Sequence, residues 1–492
     1  NGNNITSVLE NTIINKGNLK IVDSNTQKQG TITIDLAGNN SYISGIVNES
    51  TGKIEITNNI SIIGKGLHSN SIKNEGEITA TDTKLNNNGT YIVGGSYGIR
   101  LMLNDGVLNL NNTTVSNTGG SSANVIYNDT GTININNSIV QERYSIIETY
   151  EGEVNITGEV TRKGIAQLVS LEQKSSTSEG TKINIENATI TDENTASTMI
   201  SGENGEIKIK NSNIQAKASI IGVNSSGKGT NVTIENSNLT SSKYAVISQY
   251  KGNTEIKDSD IIYNGTSSDS AIQFKSTGSL TITGKSNITS TGEKAIEGNS
   301  TGTIILGEND GEVDRTYPCV TGEKYGIYQS NTEGKLYFYD GQIKGKTGTI
   351  YGTITEIATG YEISKTNGDY YTDILVKSGV EVSVAKIDGV TYTSIQDAIA
   401  ACPEGTQKTI TIENNIIATS IITISQGKDI ILDLNGFTII GENVDNVIEN
   451  NGTLKILDGL NRGGKIENPS GTAIGGSGTL TVDSSATIIN KN

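Results

Sequence analysis

One short phrase recurs along most of this chain of 492 residues. It reads glycine, any residue, apolar, polar, apolar, polar, Asn or Asp, a short polar run and another apolar residue. Gly205–Ile214 is one copy, and further copies lie at Gly52–Ile60, Gly106–Val115 and Gly131–Ile139. Most copies start about 25 residues apart, and a second short apolar segment such as Val125–Tyr127 lies between them. The chain is therefore built from internal repeats, each of which is one structural unit.

The apolar residues of the phrase alternate with polar ones, a period of two that is typical of β-strands. A unit of this length cannot bury its apolar residues by itself, so neighbouring units must stack. The units lack the period of helical solenoids and are too short for propeller blades of about 40 residues. The pattern predicts an all-β, right-handed parallel β-helix (a β-solenoid) with one repeat per coil. Roughly sixteen coils would extend for about 80 Å.

Composition limits the partners that the chain can have. Hydrophobic residues make up only 33%, which would suggest disorder if they were not so regularly placed. The net charge of −16 is spread without a basic stripe, which argues against nucleic-acid binding. No stretch approaches the roughly 20 apolar residues that a membrane span needs. The chain has no initiator Met and no signal-peptide pattern at Asn1, so we expect a processed or excised piece of an extracellular protein.

An Asn or Asp follows the second apolar residue of the phrase, two places further on. Asn and Asp tolerate the left-handed conformation that a sharp corner between two strands requires. When the coils stack, these side chains are expected to form a hydrogen-bonded ladder. The alternative is a column of ligands for a metal or a sugar. The residues of this corner ladder are Asn58, Asp82, Asn112, Asn137, Asn187, Asn211, Asn236 and Asp258, and Asp23 and Asp458 occupy the same place.

Gly307–Asp314 is the densest acidic cluster in the chain. Its spacing does not fit the loop of an EF-hand, and we interpret it as a solvated turn. Asp310, Glu312 and Asp314 are the candidate ligands if the segment binds calcium. No other cofactor or metal is expected.

Tyrosines concentrate in the next coil. Tyr325, Tyr328, Tyr337 and Tyr339 are candidate ligand-binding residues, because aromatic rings can stack on a sugar ring. The alternative, which the sequence favours, is that the aromatic residues fill the tapering end of the core.

The segments that follow are predicted to close one module and to start another. Gly360–Ser364 and Tyr370–Val376 read as a hairpin around the Asn367-Gly368 turn. Val447–Asp458 parallels Ile13–Asp23, so the chain is interpreted as a little more than one period of a tandem array. The predicted segments are a first β-helix module at 1–352, closing strands or a linker at 353–384, and the start of a second β-helix module at 385–492.

One short capping helix is predicted at about 394–402. Thr393 is its expected N-cap, and Gln396 completes a capping box. Its apolar face consists of Ile395, Ala398, Ile399 and Cys402. Cys319 and Cys402 are expected to be buried free thiols, because such distant pairs seldom meet disulfide geometry.

The two predicted cap regions resemble a module of large bacterial surface proteins. The resemblance rests on Tyr392–Ile399, Leu432–Gly436, Phe338–Gly345 and Gly360–Glu362. Proteins of this kind are pectate-lyase-like right-handed β-helix proteins of host-associated bacteria, generally described as adhesin-like. The resemblance implies display on the cell surface and transfers no catalytic residue.

Enzymatic activity is the main competing hypothesis, because β-helices also host polysaccharide lyases and hydrolases. The single histidine, His68, argues against histidine-based catalysis. Asp258/Asp260 and Asp310/Asp314 are the carboxylate pairs that a glycosidase would need in one cleft. The arginines that a lyase would use as a base lie in different coils: Arg100, Arg143, Arg162, Arg315 and Arg462.

We therefore expect a non-enzymatic, adhesin-like stalk at the bacterial cell surface, with glycans or host-surface proteins as partners. One alternative is a self-assembling extracellular filament whose subunits dock end to end. The other is a polysaccharide lyase or glycoside hydrolase of the β-helix type.

Overall fold

The computed structural model describes residues 3–6, 11–22, 30–36, 44–57, 60–66, 70–87, 100–117, 125–142, 147–164, 167–175, 177–193, 197–378 and 383–490. They form an all-β parallel β-solenoid of about 16 turns, with coils about 25 residues apart and one short helix. This confirms the predicted fold class. The chain divides into two compact units, Asn1–Gly341 with Ile350–Glu356, and Gln342–Thr349 with Ile357–Asn492.

Strands of the first unit stack in parallel into columns, and the first column consists of short strands. Equivalent residues of successive coils pair directly, as Ile126 does with Ile147. The bounds of these strands are Ile13–Asn15, Ile46–Asn48, Asn70–Asn74, Arg100–Asn104, Ile126–Asn128, Ile147–Thr149, Val169–Leu171, Ile200–Gly202, Ile221–Val223, Ile247–Gln249, Ile272–Phe274, Lys294–Gly298 and Tyr325–Gln329.

The second column holds the alternating apolar pair of the repeated phrase. Its strands are Asn18–Val22, Lys53–Thr57, Glu77–Thr81, Val107–Asn111, Thr132–Asn136, Asn204–Lys210, Gly229–Glu235, Thr254–Lys257, Ser279–Thr283, Thr303–Leu306 and Lys335–Phe338. Two longer strands, Glu153–Gly164 and Thr181–Asp192, run through both the second and the third column.

The third column follows the corner. Its strands are Asn3–Thr6, Gly30–Leu36, Ile60–Gly66, Lys84–Asn87, Thr114–Asn117, Ile139–Glu142, Asn213–Ala216, Asn238–Ser241, Asp260–Tyr263, Asn287–Ser290 and Cys319–Gly322. Gly348–Tyr351 and Glu356–Ile357 are further short strands near the division between the units.

Apolar side chains of the phrase point into the coil. Ile133 and Ile135 are buried, whereas their neighbours in Thr132–Asn136 are partly exposed. They stack on Val154 and Ile156 of the next coil, which are also buried. The alternation read from the sequence therefore separates the core from the surface, as predicted.

The second unit begins with antiparallel strands and continues as a solenoid. Gln342–Gly345 pairs with Tyr371–Lys377, which pairs with Tyr361–Asn367 and confirms the predicted hairpin. A second hairpin joins Ala385–Ile387 to Val390–Tyr392. The parallel strands that follow are Gln407–Ile412, Ile416–Ala418, Ile422–Ile424, Asp429–Asp433, Thr438–Gly441, Asn446–Asn450, Thr453–Leu457, Lys465–Asn468, Thr472–Gly475, Thr479–Val482 and Thr487–Asn490.

The helix spans Ile395–Ala401, and its N-cap is Ser394. The prediction of Thr393 as the cap was therefore wrong by one residue. The hydroxyl of Ser394 accepts hydrogen bonds from the backbone N–H groups of Gln396 and Asp397. The side chain of Gln396 does not complete a capping box but exchanges two hydrogen bonds with the backbone of Thr423.

The predicted apolar face of the helix is confirmed, since Ile395, Ala398, Ile399 and Cys402 are all buried. Both cysteines are free thiols. Cys402 is buried as expected, but Cys319 is partly exposed, so that half of the prediction was wrong. Cys319 begins a third-column strand, and its side chain lies at an outward position of the alternation.

Candidate functional site

The corner between the second and third columns has a left-handed backbone. Its φ angles lie between 46° and 53° at Asp82, Asn112, Asn137, Asn187, Asn211, Asn236 and Asp258. Residues with a Cβ rarely adopt this conformation, and Asn and Asp tolerate it best. The structure thus confirms the corner conformation at these positions, whereas Asn58 and Asp23 lie outside the described residues.

The corner residues also bond to one another between coils. Asn236 Nδ2 donates to Asn211 Oδ1 across 2.8 Å, and Asn211 Nδ2 donates to Asn187 Oδ1 across 3.3 Å. Asn112 Nδ2 donates to Asp82 Oδ1 across 2.5 Å. The predicted ladder is therefore present at the corner.

Other corner residues accept from the backbone of the next coil. Asn137 Oδ1 accepts from the N–H of Glu159, and Asp258 Oδ1 accepts from the N–H of Lys285, each across 2.8 Å. Asp458 shares their place in the phrase but does not have a positive φ angle, so the corner prediction was wrong at this position. It stabilises a turn instead, by accepting from the backbone N–H groups of Gly436 and Gly464. Coil stacking thus accounts for these side chains.

A second ladder, which was not predicted, lies inside the first column. Each Asn at the end of a strand donates its Nδ2 hydrogen to the Oδ1 atom of the next coil's Asn, across 2.8–2.9 Å. The last amide donates to Thr149 Oγ1, whose hydroxyl contacts Thr181 Oγ1 at the start of the second-column strand Thr181–Asp192. All of these side chains are buried. The members of this interior ladder are Asn15, Asn48, Asn74, Asn104, Asn128, Thr149 and Thr181.

The glycine that opens each phrase belongs to the same packing. A Cβ atom built on Gly131 would lie 2.4 Å from Asn104 Nδ2 and 2.5 Å from the carbonyl oxygen of Gly106. Both distances are below any that a real Cβ atom shows. The recurrent glycine is therefore required by the close approach of successive coils at the interior ladder.

Buried serines form a third stack beside the corner. Ser237 Oγ accepts from the backbone N–H of Ser212, and Ser259 Oγ accepts from that of Ser237, each across 3.1 Å. Ser286 Oγ continues the series by accepting from the N–H of Ser259 across 3.2 Å. These hydroxyls satisfy backbone donors that the corner removes from the sheet.

Tyrosine rings of the predicted aromatic coil collect at the surface. Tyr328 stacks on Tyr351, with ring centroids 4.4 Å apart and planes inclined by 12°. Tyr325 contacts both rings, at 5.6 and 5.9 Å. Lys294 Nζ lies 4.4 Å from the centroid of Tyr328, and 2.7 Å from Glu297 Oε1. We call Lys294, Tyr325, Tyr328 and Tyr351 the tyrosine cluster.

The interior of this coil is filled by other residues. Ile327, Leu336 and Phe338 have no exposed surface, whereas Tyr325 and Tyr328 are partly exposed and Tyr351 is 47% exposed. Phe338 therefore fills the core at this coil, a role that the sequence analysis had assigned to the tyrosines. Tyr337 is also partly exposed, with its ring 5.9 Å from that of Tyr339.

Tyr339 is the buried member of the predicted set. Its hydroxyl donates to Glu356 Oε1 across 3.1 Å. Burial, followed by the hydrogen bond to Glu356, raises the pKa of this phenol. The structure thus brings Tyr325 and Tyr328 together in a surface cluster, while Tyr337 and Tyr339 form a separate pair.

Carboxylates of the acidic cluster Gly307–Asp314 stabilise a turn by accepting hydrogen bonds from its backbone. Asp314 Oδ1 accepts from the backbone N–H groups of Thr316 and Tyr317. Asp310 Oδ1 accepts from the N–H of Glu312 across 3.1 Å. These bonds are those of the solvated turn that the sequence favours.

Asp340 joins this turn and was not predicted. Its two oxygens accept from the N–H groups of Glu308 and Asp314, across 2.7 and 2.9 Å. Burial raises the pKa of Asp340, and the charges of Asp310 and Asp314 act in the same direction. Across the part of the chain that the structure describes, no group of three or more His, Cys, Asp or Glu side chains could hold a metal ion.

Three of the residues considered for enzymatic roles, Arg162, Asp258 and Asp260, have structural contacts, whereas His68 and Arg143 lie outside the described residues. Arg162 is buried in an ion pair, with its Nη1 atom 2.8 Å from Asp192 Oδ2. Burial lowers the pKa of Arg162 to about 10, against the opposing charge of Asp192. Asp260 Oδ1 accepts from Asn287 Nδ2 across 2.8 Å, and Asp258 is held at its corner.

Within the described ranges, no helix has the length and apolar character needed to cross a membrane. Comparison with protein-family models, with curated proteins and with solved structures finds no match to this chain.

Proposed function

We propose that this chain is part of a non-enzymatic, adhesin-like protein of the bacterial cell surface. Tandem β-solenoid modules form a stiff stalk, and its outer face presents binding surfaces for glycans or host-surface proteins. The resemblance of Tyr392–Ile399 and Leu432–Gly436 to the modules of bacterial surface proteins supports the location. No cofactor takes part in this role.

The observation that carries the structural role is the interior ladder. It links seven successive coils, from Asn15 to Thr181, through buried side-chain hydrogen bonds. Buried amides in a continuous chain hold neighbouring coils in one register, because a slip would break their side-chain hydrogen bonds to the next coil. Such a column stabilises length and stiffness, which are the properties that a stalk requires.

The tyrosine cluster supports the adhesive role. Tyr328 and Tyr351 present a stacked pair of partly exposed rings beside the ammonium group of Lys294. Exposed aromatic rings that carry polar tips are common in binding surfaces for sugars and proteins. Core packing does not explain their position, because Ile327 and Phe338 fill the interior.

The adhesive role is tested by binding of the purified chain to a printed glycan array and to immobilised host extracellular proteins. We expect binding that falls at least tenfold in the double variant Tyr328→Ala/Tyr351→Ala. Tyr371→Ala removes an equally exposed tyrosine from the closing hairpin and is the matched control. Undiminished binding by a folded double variant would contradict a role of the cluster.

Two further measurements separate the alternatives. Release of unsaturated or reducing ends from polysaccharides, with or without calcium, would contradict the non-enzymatic role. Electron microscopy at high protein concentration addresses self-assembly. Fibres that form from the purified chain would favour the filament over the stalk.

A further inference from the structure

A second pair of exposed tyrosines flanks one strand of the first column. Tyr244 precedes Ile247–Gln249 and Tyr250 follows it directly, and the two side chains are 41% and 43% exposed. Residues on both sides of a three-residue strand can face the same stretch of surface. The two rings therefore border the outer face of three neighbouring coils.

The floor between the rings is made of outward-facing residues at the centres of their strands. Ser248 pairs with Gly222 of the preceding coil and with Gln273 of the following one. Because Gly222 has no side chain and Ser248 has a short one, the floor is recessed. We call the resulting concavity the tyrosine trough. It measures about 350 Å³ and is lined by Thr198, Ser219, Gly222, Val223, Asn224, Tyr244, Ala245, Ser248, Tyr250, Asp269 and Gln273.

Polar groups cross the trough in one connected row. Gln273 Nε2 donates to Asp269 Oδ1 across 3.0 Å, and Gln273 Oε1 accepts from Lys275 Nζ across 3.2 Å. Lys275 Nζ also donates to the hydroxyl of Tyr250 across 3.1 Å. The amide of Gln273 is therefore fixed between a carboxylate and an ammonium group.

This row retains hydrogen-bonding capacity. An ammonium group has three donors, and Lys275 uses two of them on Gln273 and Tyr250. A carboxylate has about four acceptor positions, and Asp269 uses one for Gln273 and one for Ser267 Oγ. One donor and about two acceptor positions thus remain at opposite ends of the row.

Two lysines contact the rings of Tyr244 and Tyr250, which form the walls of the tyrosine trough. Lys243 Nζ lies 4.9 Å from the centroid of Tyr244, and Lys275 Nζ lies 4.9 Å from that of Tyr250. Cation–π contacts of this kind orient exposed rings that would otherwise change rotamer freely. Both walls are therefore positioned before a ligand arrives, which reduces the entropy lost on binding.

We propose that the tyrosine trough binds one pyranose residue of a neutral glycan, a role that rests on the glycan-binding function proposed above. The tyrosine rings pack against the C–H faces of the sugar. Neighbouring hydroxyl groups donate to Asp269 and accept from Lys275, a pairing that the fixed amide of Gln273 supports. A concavity of this size lies at the lower end of the range for small-ligand sites, about 300–1,000 Å³, which suits a single ring.

The test begins with a printed glycan array and continues with titration calorimetry of the neutral oligosaccharide that binds most strongly. We expect Tyr244→Ala and Tyr250→Ala each to lower affinity at least tenfold, while Tyr244→Phe keeps it within twofold. Ser248→Leu fills the floor without touching the core and should abolish binding. Thr281→Leu, at an outward position of the second column, is the matched control and should bind normally.

The outcomes separate this site from the tyrosine cluster. Binding that survives Tyr244→Ala, Tyr250→Ala and Ser248→Leu but is lost in Tyr328→Ala/Tyr351→Ala would overturn the trough and leave the proposed function standing. Absence of binding to every neutral glycan would overturn the trough. If acidic glycans and host proteins also fail to bind, the adhesive function falls with it.

Discussion

Asn74 and Asn104, 30 residues apart in sequence, are joined by a hydrogen bond of 2.8 Å between two side chains with no exposed surface. Asn104 in turn donates to Asn128 across 2.8 Å, so that it is both acceptor and donor in the interior ladder. An amide side chain can fill both roles at once, because it carries an acceptor oxygen and a donor nitrogen on separate atoms.

Removal of Asn104 should therefore destabilise the first unit strongly. Asn104→Ala removes the ladder acceptor of Asn74 Nδ2, which keeps only its bond to the carbonyl oxygen of Val107, and the ladder donor to Asn128 Oδ1. We expect a loss of about 2–4 kcal/mol. Urea unfolding followed by circular dichroism measures it. Asn134→Ala, in a partly exposed amide row of the second column, should cost less than about 1 kcal/mol. Equal losses of stability in the two variants would show that the interior ladder contributes no more than a partly exposed amide row.

At the corner, glycine should be better tolerated than alanine. Asn211 has a φ angle of 49°, which glycine adopts freely and alanine does not. We expect Asn211→Gly to lose only the exposed ladder bonds and Asn211→Ala to be less stable than Asn211→Gly by about 1 kcal/mol. Thermal unfolding of the two variants decides this. The opposite order, which is usual in regular strands and helices, would argue against a strained corner.

Asp373 should make the second unit less stable as the pH rises. Its Oδ2 atom accepts from Thr349 Oγ1 across 2.7 Å, while its Oδ1 atom has no hydrogen-bond partner within the described residues. Burial raises the pKa of this carboxyl group, so the folded state favours the protonated form. Its contribution to stability is then present in full below the unfolded pKa of about 3.9 and is lost as the pH rises through the folded value.

The neutral variant Asp373→Asn should accordingly raise the melting temperature at pH 7, because it removes the cost of keeping a charged carboxylate buried. The advantage should vanish near pH 3.5, where the parent carboxyl group is protonated in both states. Glu362→Gln, on the exposed side of the same hairpin, is the control and should show no such trend. A pH-independent difference between Asp373→Asn and the parent chain would refute the assignment.

The corrected helix cap leads to a fourth prediction. Ser394→Ala removes the acceptor of two backbone N–H groups and should cost about 1 kcal/mol. Thr393→Ala should cost clearly less, since the helix does not use its hydroxyl as the cap. Denaturant titration of the second unit's unfolding transition compares the two. A larger loss of stability from Thr393→Ala than from Ser394→Ala would show that Thr393 is the N-cap, as the sequence predicted.

Local rules explain which features could be predicted. The corner at Asn211 follows from its own backbone preference, and the in–out alternation of Ile133 and Ile135 follows from strand geometry, so both were found without coordinates. The cap failed because Thr393 and Ser394 are both competent, and only the extended backbone of Ser394, with φ −135° and ψ 136°, decides between them.

Features that depend on stacking were missed. Asn104 looks like an ordinary polar strand end until the neighbouring coils are placed, although the recurring apolar-x-Asn pattern before glycine was a usable signal. The tyrosine trough combines Tyr244 and Tyr250 with Gly222 and Gln273 of adjacent coils, residues that no single repeat contains. Sites of this kind form only when several coils are stacked, so they cannot be read from a single repeat.

The interior ladder also has a polarity. Every amide from Asn15 to Asn104 donates toward the coil that follows it in the chain. If a coil that carries this Asn were duplicated, the new Asn would find an acceptor in the coil ahead and a donor in the coil behind. If such a coil were deleted, the two coils on either side of it would pair with each other in the same way. Unequal recombination within this part of the gene can therefore lengthen or shorten the protein one coil at a time without breaking the column.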